Sequence, residues 1–148
     1  MDIYETGGAD IALVAATPKT VLQITTPSTI RGRLSNLEIS FDGTTAGATP
    51  VLIQLVTQTT AGTGTAVTPN PIDPSAPASL ITSAKDFSAE PTVGVTSRQW
   101  RVSPNAGLWY YTWPQVGEMP SIPISARLAI KMNAAAGVNV TVYMRYWA

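Results

Sequence analysis

The chain has 148 residues, 45% of them hydrophobic and only 12% charged, with nine basic and nine acidic side chains that cancel to zero net charge. That length suits one core, and charge is about half the usual share for a soluble domain, so neutral side chains cover much of the surface and little repulsion keeps copies apart. With neither histidine nor cysteine, zinc and iron–sulfur centres, disulfides, thiol nucleophiles and the usual neutral-pH general base all drop out.

Met1 is followed by the acidic Asp2 and Glu5 instead of a basic then apolar leader, so synthesis in a cytoplasm is expected. Residues 1–10, with Ile3 and Tyr4 ahead of the Gly7-Gly8 joint, read as an N-terminal arm available for contacts, or more plainly as a frayed terminus. Beyond them the apolar pattern has period two almost throughout, which predicts strands over residues 11–15, 20–25, 33–41 and 51–58. Thr17-Pro18, Pro27-Ser28 and the turn pair Asp42-Gly43 separate these strands. Residues 59–91 differ in character: a Gly/Thr tract from Thr60 to Thr65 leads into Pro69, Pro71, Pro74 and Pro77. So long a connection inside a compact domain should be ordered, packed over the sandwich or used against a partner.

Strands resume at residues 97–102 and 108–113, joined through Pro104-Asn105-Ala106-Gly107, and end with 125–132 and 138–147. In the first of the final pair Leu128, Ile130 and Met132 alternate inward while Arg127 and Lys131 point out; in the second Val138, Val140, Val142, Met144 and Tyr146 form the inward set. The Ala134-Ala135-Ala136-Gly137 link is expected to close these two as an antiparallel hairpin. About eight strands with no domain boundary predict a single all-β domain over residues 1–148, an antiparallel jelly-roll β-sandwich.

Chemistry-bearing patterns are sparse. The carboxylates Glu38 with Asp42, or Glu90 with Glu118, are the pairs that could support acid–base work, against a plainer reading as scattered surface charge. Lys19, Lys85 and Lys131 stand in no Ser-Lys spacing, Gly62-Thr63-Gly64 lacks the Lys and helix start of a phosphate loop, and Asn139-Val140-Thr141 reads as strand. No catalytic, cofactor-binding or metal site is predicted, so the chain is expected not to be an enzyme. Unclustered charge argues against nucleic acid as a partner, and apolar runs such as Val51 to Val56 are too short to span a membrane.

Aromatic residues are the most distinctive feature. Trp109, Tyr111 and Trp113 alternate onto one face, read mainly as core, and Tyr110 takes the other; Trp100, Tyr143, Tyr146 and Trp147 complete the set. Ile3, Tyr4, Tyr110, Tyr143 and Trp147 are the candidate interface residues, Trp147 foremost because it is out of phase with Val142 and Met144.

The run Gly62-Thr63-Gly64-Thr65-Ala66-Val67-Thr68-Pro69 with its proline-rich continuation, and the ending from Arg127 to Met132 and from Tyr143 to Trp147, resemble the small jelly-roll decoration or cement proteins of tailed-bacteriophage capsids. The resemblance implies a homotrimer on the capsid exterior at threefold or quasi-threefold positions, bound to the major capsid protein and stabilising its lattice. It carries over no catalytic motif and no fixed binding residues. The alternative reading, from the Trp109 to Trp113 aromatics, is a carbohydrate- or receptor-binding knob of a tail fibre or adhesin.

Overall fold

The computed structural model describes residues 1–42 and 49–148, so Gly43 of the Asp42-Gly43 turn lies outside the described residues. Among the described residues there are twelve strands and no helix: β1 Ile3–Leu13, β2 Lys19–Thr25, β3 Gly32–Asp42, β4 Val51–Gln58, β5 Thr63–Val67, β6 Asn70–Pro71, β7 Thr82–Ala89, β8 Val93–Val102, β9 Trp109–Thr112, β10 Ser121–Ile122, β11 Arg127–Asn133 and β12 Val138–Trp147. They form two antiparallel sheets. Sheet A runs β10-β3-β12-β1-β6, with β9 also pairing with β3; sheet B runs β5-β7-β2-β11-β4-β8. The chain changes sheet between β1 and β2, β2 and β3, β3 and β4, β5 and β6, β6 and β7, β8 and β9, β10 and β11, and β11 and β12.

The core lies between the sheets, where the period-two pattern puts it. Val138, Val140, Val142, Met144 and Tyr146 of β12 face Leu128, Ile130 and Met132 of β11 within one buried cluster, each fully buried aliphatic side chain contributing about 1.5–3 kcal/mol through removal of apolar surface from water. Tyr146 is wholly enclosed; its ring stacks on Tyr4 at 5.7 Å and its hydroxyl bonds Ser79 Oγ at 2.8 Å. Burial pushes the Tyr146 phenol up to about 12.

Two expectations are corrected. β11 and β12 are not a hairpin: β11 lies between β2 and β4 in sheet B, whereas β12 lies between β1 and β3 in sheet A. The Ala134 to Gly137 link therefore arches over the core, which lets both inward apolar sets be buried against each other instead of side by side. Residues 1–10 are not an arm: Ile3 to Gly8 pair residue by residue with Trp147 to Val142, and Tyr4 is 4% exposed. Each terminal peptide closes the pair, Asp2 N–H donating to Ala148 O at 2.9 Å and Ala148 N–H to Asp2 O at 3.0 Å.

The 59–91 connection contains β5, β6 and β7, and it makes sheet B unusual. Every residue of β2 from Thr20 to Ile24 is buried, on both faces of the sheet. The outer face is covered because the segments just after β4 and just before β8 cross it side by side, linked by Thr59 N–H to Thr92 O at 2.9 Å and Thr92 N–H to Thr60 Oγ1 at 2.8 Å. Beneath them runs a buried polar chain. Gln23 Nε2 donates to Gln58 Oε1 at 2.6 Å, Gln58 Nε2 to Thr20 Oγ1 at 2.9 Å, and Thr20 Oγ1 to Glu90 Oε2 at 2.7 Å. Thr20 N–H also donates to Glu90 Oε1 at 2.7 Å, and Lys131 lies 3.6 Å from the same carboxylate. Buried amides this far from water are tolerated only because each finds a partner.

Candidate functional site

Two aromatic groups stand at different places on the sandwich. The first closes its open side, where the edge strand β8 of sheet B approaches β9 of sheet A. Trp100 of β8 meets Trp109 at 5.3 Å, Tyr111 at 5.2 Å and Trp113 at 6.3 Å, and Tyr111 meets Trp113 edge-on at 4.8 Å. Alternation in Trp109-Tyr110-Tyr111-Thr112-Trp113 produces this directly, sending the odd-numbered rings between the sheets. The Arg98 guanidinium caps the group, 4.7 Å from the Tyr111 ring and 5.6 Å from Trp100, a contact of about 0.5–1 kcal/mol at an exposed site. These rings join the two sheets, so Trp109, Tyr111 and Trp113 do not form an open stacking platform. Trp100 Nε1 is buried without a hydrogen-bond partner among the described residues.

The second group lies on the outer face of sheet A. One row across the sheet runs from Tyr110 on β9 to Glu38 on β3, Tyr143 on β12 and Gly7 on β1, each register partner of the next. The Tyr143 ring takes the space beside Gly7 that a larger residue would need: a Cβ there would come within 2.5 Å of Tyr143 Cδ1 and would also strike the Val142 carbonyl. The neighbouring row pairs Glu5 with Arg145, whose Nη2 and Nε reach Glu5 Oε2 at 2.6 and 3.1 Å. Those bonds raise the Arg145 guanidinium above its usual value against the opposing effect of burial, with Glu38 adding to the rise. Ile3 and Trp147 are register partners on the same face.

Four of the five candidate interface residues, Ile3, Tyr110, Tyr143 and Trp147, thus share one face, with Tyr110 the most exposed at 52%. Tyr4 is the exception and is corrected to a core residue: one step out of phase with Ile3, it points inward, and its hydroxyl donates to Pro77 O at 3.1 Å. Glu38, Glu5, Arg145 and Gly7 were not foreseen as members of this face. The alternation of Ile3, Glu5 and Gly7 and of Tyr143, Arg145 and Trp147 held that information, but the pairing of β1 with β12 did not follow from it.

The carboxylate pairs do not make a site. Glu38 and Asp42 are four residues apart along β3, about 13 Å at strand spacing. Glu90 is engaged by Thr20 and Lys131, and Glu118 occupies an exposed turn with its N–H on Gln115 O. Among the described residues no group of three or more acidic side chains is placed to hold a metal ion, and no helix is long and apolar enough to cross a membrane. No protein-family model matches the chain, and a search of curated proteins finds no significant match.

Proposed function

We propose that this chain is a structural virion protein that binds the outer surface of a bacteriophage capsid as a homotrimer and stabilises the lattice of the major capsid protein. It is made in the host cytoplasm and acts by binding energy alone, without catalysis or cofactor. The observation that carries the reading is the order of strand pairing. Setting aside the short strands and the 59–91 insertion, sheet A reads β1-β12-β3-β9 and sheet B reads β2-β11-β4-β8. First and last strands are paired, and so are their sequence neighbours, which is how a chain folded as one long antiparallel ribbon and then rolled up would pair. This favours the jelly-roll form of the sandwich, an architecture used by viral capsid proteins and lectins. A charge-poor surface and the half-exposed aromatic face of sheet A suit seating on a protein partner, where Tyr and Trp supply rigid contact area. Three weakly bound subunits engaging together would raise avidity by roughly 10²–10⁴.

The test is sedimentation of the purified chain with heads of the phage that encodes it. Saturable binding to the head exterior, and heads that then resist heating or loss of salt, are expected; a chain that never cosediments with expanded or unexpanded heads sinks the proposal.

A carbohydrate- or receptor-binding knob is the second reading, favoured by the Tyr143 ring spread on Gly7 beside Glu38 and the exposed Tyr110. Aromatic faces with an adjacent carboxylate suit a saccharide. Glycan-array binding abolished in Tyr143→Ala or Tyr110→Ala would favour it over capsid attachment.

A further inference from the structure

A free sheet edge presents unpaired backbone groups to any extended chain that meets it, and most edges of this sandwich are blunted. β6 and β10 have two residues each and β9 has four. β5 has five, with a register shift between Thr63 and Thr65. Beyond β6, the free side of β1 is broken by the shift between Gly8 and Ile11, where Asp10 is left-handed (φ 54°). β8 differs. It has ten residues, pairs with β4 alone among the described residues, and contains no proline. Residues 94–99 are exposed in unbroken succession, so solvent reaches both faces of the strand there. Over residues 98–102 it keeps one-to-one register with residues 51–55, which turns alternate N–H and C=O groups of this stretch outward with no strand to receive them.

The same stretch sets the chemistry of an incoming strand. Arg98 and Arg101 are three residues apart and so lie on opposite faces. Arg98 leans on the Tyr111 and Trp100 rings at the open side of the sandwich, while Arg101 points away from the core between the inward Trp100 and Val102. Neither is in an ion pair among the described residues, and neither β4 nor β8 contains an acid. A strand laid along β8 would also lie beside β9, next to the partly buried Trp109 and Tyr111. The match is an extended segment with apolar side chains towards those rings and a carboxylate on each face. A second copy of β8 is no match, because the joint ribbon would hold two arginines from each copy and no carboxylate.

We infer that β8 accepts a further strand: an extended, acidic segment of the capsid protein pairs along residues 98–102 and continues sheet B. Main-chain bonds supply the affinity, and the two guanidiniums select the partner. The source of the segment rests on the capsid-binding reading; the strand-accepting edge does not.

The probe is an eight-residue peptide of valine and threonine with two glutamates three positions apart, set against a counterpart with two lysines. Hydrogen exchange of the full chain is the readout. The glutamate peptide in excess is expected to slow alternate amides of residues 98–102 at least about tenfold, and the lysine peptide to leave them unchanged. Arg98→Glu combined with Arg101→Glu, in a chain shown to be folded by circular dichroism, should invert that preference. N-methylation of one alternate set of peptide amides should abolish protection, and methylation of the other set should be tolerated. Unchanged exchange in β8 with the glutamate peptide, equal protection by both peptides, or indifference to the phase of methylation overturns the inference. A chain that binds heads with the exchange of β8 unchanged overturns it while leaving capsid attachment intact. A chain that takes the glutamate peptide yet never cosediments with heads keeps the strand-accepting edge and loses the capsid reading.

Discussion

The polar chain on the covered face of sheet B allows a sharp test of what holds the 59–91 insertion in place. Replacing Gln58 by Leu removes the acceptor of Gln23 Nε2 and the donor to Thr20 Oγ1. Gln23, 4% exposed, would keep only its 3.4 Å bond to Ala61 O. Leaving a buried amide so poorly paired costs about 1–3 kcal/mol, and at this chain length each kcal/mol lowers Tm by roughly 2–4 °C. Gln23→Leu should cost a similar amount. In the double variant both amides are gone, neither strands the other, and the loss should fall below the sum of the singles by about 1–2 kcal/mol. Urea unfolding of the four proteins, with unchanged m-values, measures the cycle. Single variants within about 0.5 kcal/mol of wild type, or strictly additive losses, would refute the view that the two amides act as a buried pair.

Other outcomes follow from the same structure. Tyr146 keeps its proton in the fold up to about 12, whereas in the unfolded chain it ionises near the ordinary tyrosine value of 10. Its contribution is therefore complete below about pH 10 and is lost as pH rises towards 12; Tyr146→Phe should remove this part of the alkaline fall in Tm. Tyr4→Ala should destabilise by about 3–5 kcal/mol, as expected for an emptied aromatic site in a core, while the exposed Tyr110→Ala should stay within about 0.5 kcal/mol in thermal unfolding. Trp100→Ala should also cost about 3–5 kcal/mol and quench the near-ultraviolet dichroism of the aromatic group, because Trp109, Tyr111 and Trp113 all pack on that ring.

How far the sequence carried is clearest element by element. β3, β4, β8, β9, β11 and β12 lie where alternation predicts a strand, because each turns one face to the core and so keeps period two, and β2 lies where a strand is predicted although both of its faces are covered. β5 escaped notice because Thr63-Gly64-Thr65-Ala66 is exposed throughout, and β7 because Lys85 and the left-handed Asp86 (φ 50°) interrupt any alternation. β6 and β10 are two residues each, too short to show a period. Sheet membership is a different kind of information: a four-residue link between two apolar strands is compatible with a hairpin or an arch, and only packing across the core decides. The N-terminal segment was misread through its glycines. Gly7 and Gly8 look like a flexible joint, yet they are small because the Tyr143 ring and the Lys85 side chain occupy the space a Cβ would need. The outward phase of Tyr110, Tyr143 and Trp147 could be read locally, while their meeting with Glu38 and Glu5 on one face depends on strands brought together from distant parts of the chain.

The stitching of β1 to β12 has a consequence for biogenesis. Glu5 and its partner Arg145 are 140 residues apart in sequence, and among the described residues the only strand beside β1 other than β12 is the two-residue β6. At about 5–20 residues per second, the first strand waits roughly ten seconds on the ribosome before its mate exists. Through that interval Ile3, Tyr4, Ile11 and Leu13 are open to other nascent chains, so yield from a fast, hot expression system should fall before the stability of the finished protein sets any limit.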